Sequence, residues 1–160
     1  MHIKRRAHNL YRKLNTSDIF RVARELKIEI VFKDMPCEVK GMCERVLRRK
    51  YIVLNENLPE EEWRFVFFHE LGHLLLHKGV SHYFITRETH FVIGRFEAEA
   101  SEFAVHYLTA SDQIEEGEIS QFYLSRCGVP EDMHIYFKAK DIKQHVLKNV
   151  WMHDNSSFGI

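Results

Sequence analysis

The chain has 160 residues, 45% of them hydrophobic and 12 of them Phe, enough to bury the core of one compact domain spanning 1–160. Lysine plus arginine and aspartate plus glutamate number 23 each, so the formal charge is zero with histidine neutral, and the balance calls for no nucleic-acid or acidic-membrane partner. The three cysteines, Cys37, Cys43 and Cys127, fit neither a CxxC zinc half-site nor a disulfide framework and read as reduced thiols; the 11 histidines are the compositional oddity.

The N-terminal stretch MHIKRRAHNLYRKL is basic and lacks the apolar run of a secretory signal. The longest apolar stretch, 65–76, is interrupted by charge and histidine and is too short to span a bilayer, so a soluble cytoplasmic protein is expected. Thr16-Ser17-Asp18 can cap a helix over 19–27, in which Ile19, Val22, Ala23 and Leu26 recur at helical spacing. Residues 28–32 read as a strand, and 41–47 with 50–55 as a hairpin joined through Arg48-Arg49, giving a small, mainly antiparallel sheet. Arg45, Arg48, Arg49 and Lys50 cluster at that hairpin and read as a solvated edge that guards against strand pairing.

Pro59 followed by Glu60-Glu61-Glu62 opens a long helix expected to run to about His77 and stop at Gly79. Residues 78–94 read as an irregular connection, and 95–109 as a second helix with Phe96, Ala100, Phe103, Ala104, Tyr107 and Leu108 on its apolar face. Helical character returns at 118–127 and 131–148 around a Gly128-Val129-Pro130 break. That pair has a faint helix-turn-helix look, but its second helix lacks a basic N-terminus and reads as packing. The expected class is α+β, a small sheet packed by helices.

The first long helix carries His69-Glu70-Leu71-Gly72-His73. Histidines four apart on a helix lie about 40° from eclipsed and roughly 6 Å apart along the axis, so both imidazoles reach one ion. Glu70 follows His69 by about 100°, which sets its carboxylate beside the ion, where a general base is needed. A zinc there acidifies water and polarises a carbonyl, and Glu70 takes and returns the proton. The bland rival, a solvated His-Glu-His face, is weakened by Gly72, which admits a close neighbour, and by the carboxylate-rich helix downstream. A catalytic zinc wants a third protein ligand. Glu97, Glu99 and Glu102 all lie on that second helix, and pattern leaves the three open, with Glu97 nearest the edge of the buried side.

The run from Arg64 through His77, RFVFFHELGHLLLH, followed by Glu97-Ala98-Glu99-Ala100-Ser101-Glu102-Phe103-Ala104, resembles the ImmA/IrrE family of metallopeptidases. Tyr51-Ile52-Val53-Leu54-Asn55 is also similar to the family's segment before its active-site helix, whereas the first forty residues and the tail match weakly. The resemblance implies a gluzincin-like zinc site in which His69, His73 and Glu97 bind the ion, Glu97 being the first glutamate of the family's E-x-E-A-N-x-F-A motif. It further implies an endopeptidase that inactivates a separately encoded helix-turn-helix repressor of a phage or mobile element. The sequence departs from the family at Ser101, where Asn is common, and at Tyr107-Leu108-Thr109-Ala110, where a Leu-Leu-Met-Pro-like ending is common. Ser101, one turn from Glu97, remains a candidate to orient that ligand by a hydrogen bond.

Four further histidines and a tyrosine invite sharper readings. His77 continues the His69–His73 row but lies one turn too far for the same ion, so a supporting role outweighs ligation. His106 and Tyr107 could donate to an oxyanion, yet packing is the ordinary role for both, and the same holds for His82 and His90 in the connection. Two rival functions stand beside the peptidase: a zinc-containing regulatory module that binds a partner without cutting it, and a zinc hydrolase of a non-peptide bond. A sheet edge beside the site would favour the peptidase, because extended substrates add to such edges.

Overall fold

The computed structural model describes residues 2–77, 90–112, 114–115, 118–138 and 140–141. Its first element is a helix, α1 (Ile3–Leu14), that turns Ile3, Ala7 and Leu14 inward and ends at Asn15 in the left-handed conformation. No helix is expected there from the sequence reading. Apolar residues recur at positions 3, 7, 10 and 14, but the basic residues between them dominate the composition. Helix α2 (Ile19–Leu26) forms where expected: the Asp18 side chain accepts a hydrogen bond from the Arg21 N–H at 2.9 Å, satisfying one of the helix's otherwise unpaired first-turn donors.

Three strands follow, β1 (Ile28–Lys33), β2 (Gly41–Val46) and β3 (Arg49–Asn55), in the order β1-β3-β2. The α+β class holds, and within it the sheet is mixed. β2 and β3 form the expected antiparallel hairpin, turning through Leu47 and Arg48, both at positive φ. β1 instead pairs parallel to β3, with Ile30 opposite Ile52. Residues 34–40 therefore cross to the far side of β3 before β2 begins. Asn55, at the end of β3 and 1% exposed, anchors that crossing: its side-chain N–H groups donate to the carbonyls of Met35, Pro36 and Val39.

Helix α3 (Glu60–Leu76) carries three glutamates in its first turn and buries the continuous run Phe65-Val66-Phe67-Phe68 with Leu71 and Leu74. Its C-terminal carbonyls, which have no partner inside the helix, accept from arginines: Leu74 O from Arg45 at 2.7 Å and Leu75 O from Arg6 at 2.9 Å. The basic cluster at the hairpin thus divides. Arg45 caps α3 and Lys50 donates to the Leu26 carbonyl at the end of α2, while Arg48 is exposed and Arg49, also exposed, pairs with Glu29 at 3.7 Å.

Helix α4 (His90–Leu108) begins before the expected position 95 and packs against α3 and α1. Phe67, Phe68, Phe103, Tyr107, Tyr123, Ile52 and Leu54 are buried almost completely, and the Phe68 and Tyr107 rings stack at 4.1 Å. Burying each such side chain contributes about 1.5–3 kcal/mol, so the α3–α4 seam belongs to the stable centre of the fold. A short 3-10 turn (Thr109–Ser111), α5 (Ser120–Arg126) and a second 3-10 turn (Glu131–Tyr136) follow. The helix expected over 131–148 is a 3-10 turn over 131–136, broken at 137–138, with helix again at 140–141; 139 and 142–148 lie outside the described residues. Among the described residues no helix is long and apolar enough to cross a membrane.

Candidate metal centre

The site lies where α3 crosses α4. A methyl group on Gly72 would stand 3.0 Å from Ala100 Cα and 3.1 Å from the Ala100 carbonyl oxygen, so the backbones touch and only glycine fits between them. Gly72 precedes His73 directly, and Ala100 follows Glu97 by almost one turn. The crossing therefore brings Glu97 over both motif histidines.

His69 Nε2 stands 3.2 Å from Glu97 Oε2, His73 Nε2 3.3 Å from Glu97 Oε1, and the two Nε2 atoms 3.2 Å from each other. Among the described residues this trio is the one group of histidine, cysteine and acidic side chains close enough to share an ion, its donor atoms all within 4.8 Å of one another. Two imidazoles and a carboxylate are donor types that zinc takes in sites that keep a position open, and the trio fits such an ion. The structure brings Glu97 to the histidines and turns its sequence rivals elsewhere: Glu99 faces His77, and Glu102 lies 4.0 Å from His106.

Charge follows the same geometry. Hydrogen bonds from His69 and His73 hold the Glu97 carboxyl well below the usual carboxylate range, although burial opposes them. Burial works against the charged form of His73, but the Glu97 hydrogen bond and the Glu70 and Glu97 charges outweigh it and raise its pKa. Burial also lowers the pKa of His77.

Glu70 is 8% exposed and lies between the centre, where it feels the charges of His69, His73 and Glu97, and edge strand β2. Its Cγ lies 3.3 Å from where a Cβ on Gly41 would stand, and its carboxylate lies close enough to the Cys43 thiol for the two to influence each other's protonation. Burial raises the Glu70 pKa, while the histidine charges and the Cys43 contact pull it back. The same burial, together with the Glu70 charge, keeps the Cys43 thiol protonated. Sequence reasoning treats Cys43 only as a reduced thiol. Nothing in its local spacing links it to Glu70, because the contact runs between a strand and a helix.

Ser101, 4% exposed, also sits at the centre, but its hydroxyl reaches a different ligand from the one expected: its Oγ is 3.2 Å from His69 Nδ1. Tyr107 and His106 are packing residues. Tyr107 is fully buried and donates to the Thr16 carbonyl at 2.8 Å, and His106, 3% exposed, meets the His8 ring edge-on. His82 and the side chain of His90 lie outside the described residues.

The family model of the IrrE N-terminal-like domain, Peptidase_M78, matches residues 23–122, a span that contains α3, α4 and the whole trio. The chain is 32% identical over 135 residues to "Uncharacterized immunity region protein 2" of Bacillus phage phi105, covering 82% of this chain and 85% of that protein. No solved structure matches it.

Proposed function

Since the chain belongs to the IrrE N-terminal-like peptidase family, we propose that it is a zinc-dependent endopeptidase that cuts a peptide bond in one intracellular protein partner, a helix-turn-helix repressor of a phage or mobile element. The observation that carries the reading is the convergence of His69 Nε2, His73 Nε2 and a Glu97 oxygen beside a buried Glu70. The phage immunity region named in the relative supports a repressor as partner.

On this reading His69, His73 and Glu97 hold the ion, and residues 1–160 act as one cytoplasmic peptidase unit. Zinc bound there supplies Lewis acidity, polarising the scissile carbonyl and acidifying water; the same donors also accept manganese, iron or cobalt. The chain's own residues do the rest. Glu97 neutralises one positive charge. Glu70, within reach of the centre but not part of the trio, takes a proton on its carboxylate as water attacks and delivers it to the departing amide nitrogen. Its burial raises its proton affinity, which suits a group that must both accept and return a proton near neutral pH.

A peptide substrate is favoured over a non-peptide one by edge strand β2, whose Gly41–Cys43 portion lies against α3 at Glu70. An extended segment can add to that edge and bring a main-chain carbonyl to the centre. The test compares new N-termini in host-cell extract, with the neighbouring repressor included, after incubation with the zinc-loaded protein or its Glu70→Gln variant. New termini that require Glu70 support the peptidase. Repressor binding without cleavage, at stoichiometric zinc, would transfer the site to a module that only binds its partner.

A further inference from the structure

His73 and His77 stand one turn apart on α3 with Nδ1 facing Nδ1 at 3.2 Å, so one of them must donate to the other. The direction is set at the far end of a chain of contacts. Glu99 accepts from Arg95 Nε at 2.9 Å on one oxygen and stands 3.0 Å from His77 Nε2 on the other. An ionised carboxylate can only accept, so His77 carries its proton on Nε2. The His77 side chain is 4% exposed, with its ring 4.5 Å from that of Phe96, so the ring is held in place, and with its proton on Nε2 the imidazole turns Nδ1 towards His73. Its Nδ1 is then an acceptor, and His73 must donate from its own Nδ1.

That assignment reaches the metal centre. Nε2 is the atom that meets His69 and Glu97, and in the metal-free chain it shares a proton with the Glu97 carboxylate; a metal there would take that proton's place and leave His73 neutral with its remaining proton on Nδ1, facing His77. We infer that His77 and Glu99 are positioning residues that lock His73 in the tautomer and orientation presenting Nε2 to a divalent metal, an inference that rests on the metallopeptidase reading of the trio. His77 is no fourth ligand, because both of its nitrogens are engaged and it lies outside the trio. The histidines are also held unequally. His69 rests on the single neutral hydroxyl of Ser101, whereas His73 is backed by a buried ring, a carboxylate and a guanidinium.

The test separates hydrogen bonding from packing. His77→Phe keeps an aromatic ring against Phe96 and deletes both hydrogen bonds; His77→Gln restores an acceptor and a donor. Zinc affinity is measured by competition with a chromophoric chelator, beside thermal melting and nitrogen-15 spectra of the imidazoles in the full chain. His77→Phe is expected to melt close to the parent yet bind zinc about 10–100-fold more weakly, with His77→Gln recovering most of the loss and Glu99→Ala weakening binding in the same direction. Spectra of the zinc-loaded parent should show His73 as the Nδ1–H tautomer and His77 as Nε2–H. Unchanged zinc affinity in both His77→Phe and Glu99→Ala would overturn the inference, and so would a zinc-loaded parent in which His77 carries its proton on Nδ1. Failure of the parent itself to bind zinc would overturn the metal-centre reading instead, so the two failures appear in different samples.

Discussion

Gly72 on α3 and Ala100 on α4 meet backbone to backbone, and the three metal-ligand candidates are arranged around that contact. Gly72→Ala is a sharp test of it. Helix propensity favours alanine by about 1 kcal/mol. The atoms that a new methyl would meet, Ala100 Cα and O, are backbone and yield only if one helix moves as a body, and such overpacking costs about 1–3 kcal/mol. The expected net is a destabilisation of about 1 kcal/mol, with a larger fractional loss of zinc affinity because Glu97 is displaced from the histidines. Thermal melts and chelator competition measure both; a raised Tm with unchanged affinity would contradict the argument.

Glu70→Gln keeps the shape of the side chain and removes its ability to accept a proton. Metal content after dialysis should match the parent, and kcat on the identified substrate should fall by about 10²–10⁴, the range of general acid–base assistance. Glu97→Gln should show the converse order, losing metal first and activity as a consequence. A Glu70→Gln variant that turns over at the parental rate would remove Glu70 from the mechanism.

Cys43 offers a pH-dependent prediction. Its thiol, placed to donate to the carboxylate, lowers the Glu70 pKa against the upward push of burial. Cys43→Val keeps much of the volume and deletes the donor, so the pKa of Glu70 rises. A base must be ionised to act, and activity falls as pH drops through its pKa, so the acid limb of the kcat/KM profile should move to higher pH. Cys43→Ser, which retains a donor, should leave the limb near its parental position. An acid limb that does not move in Cys43→Val would show that the thiol does not govern Glu70.

Asp141 is buried and accepts from the Lys4 ammonium and, at 2.8 Å, from the Lys138 backbone N–H. Burial alone would raise its pKa, but these two bonds and the His106 charge bring it below the ordinary value. A carboxylate whose folded pKa is depressed contributes stability above its unfolded pKa of about 3.9, and that contribution is lost as pH falls through the lower folded value. Lys4→Met, which keeps the stem and removes the charge, should cost about 1–3 kcal/mol near pH 7. Denaturant titrations should show the difference from the parent shrinking below about pH 4; a deficit that persists undiminished there would point to lost packing instead.

The histidine pair and Glu70 were readable from the sequence because one helix sets their mutual geometry through local spacing. The choice among Glu97, Glu99 and Glu102 was not, since three acids on one helix differ only in direction and each meets a different histidine of the fold. Which acid meets which depends on where α3 and α4 cross, a long-range relation in which Gly72 is one visible token. The same limit applies to the sheet. The link over 34–40 is short enough for a hairpin, and only the strand pairing, with Asn55 buried against 35–39, reveals that it passes to the far side of β3. Helix α1 is a different case: its apolar periodicity was present but submerged among lysines and arginines.

The candidate ligands come from two helices, His69 and His73 from one and Glu97 from the other, so an ion shared among them would act as a staple across the seam. Fold and metal supply then become a single equilibrium: at a free ion concentration 1,000 times Kd, occupancy adds about 4.1 kcal/mol to the stability of the native chain. Tm should climb with the logarithm of free zinc, and a flat response would break the linkage. In a cell, the consequence is a lifetime set by nutrition. A metal-starved chain opens more often, exposes more backbone to housekeeping proteases and is cleared sooner, so the abundance of the protein would track the zinc that it needs to act.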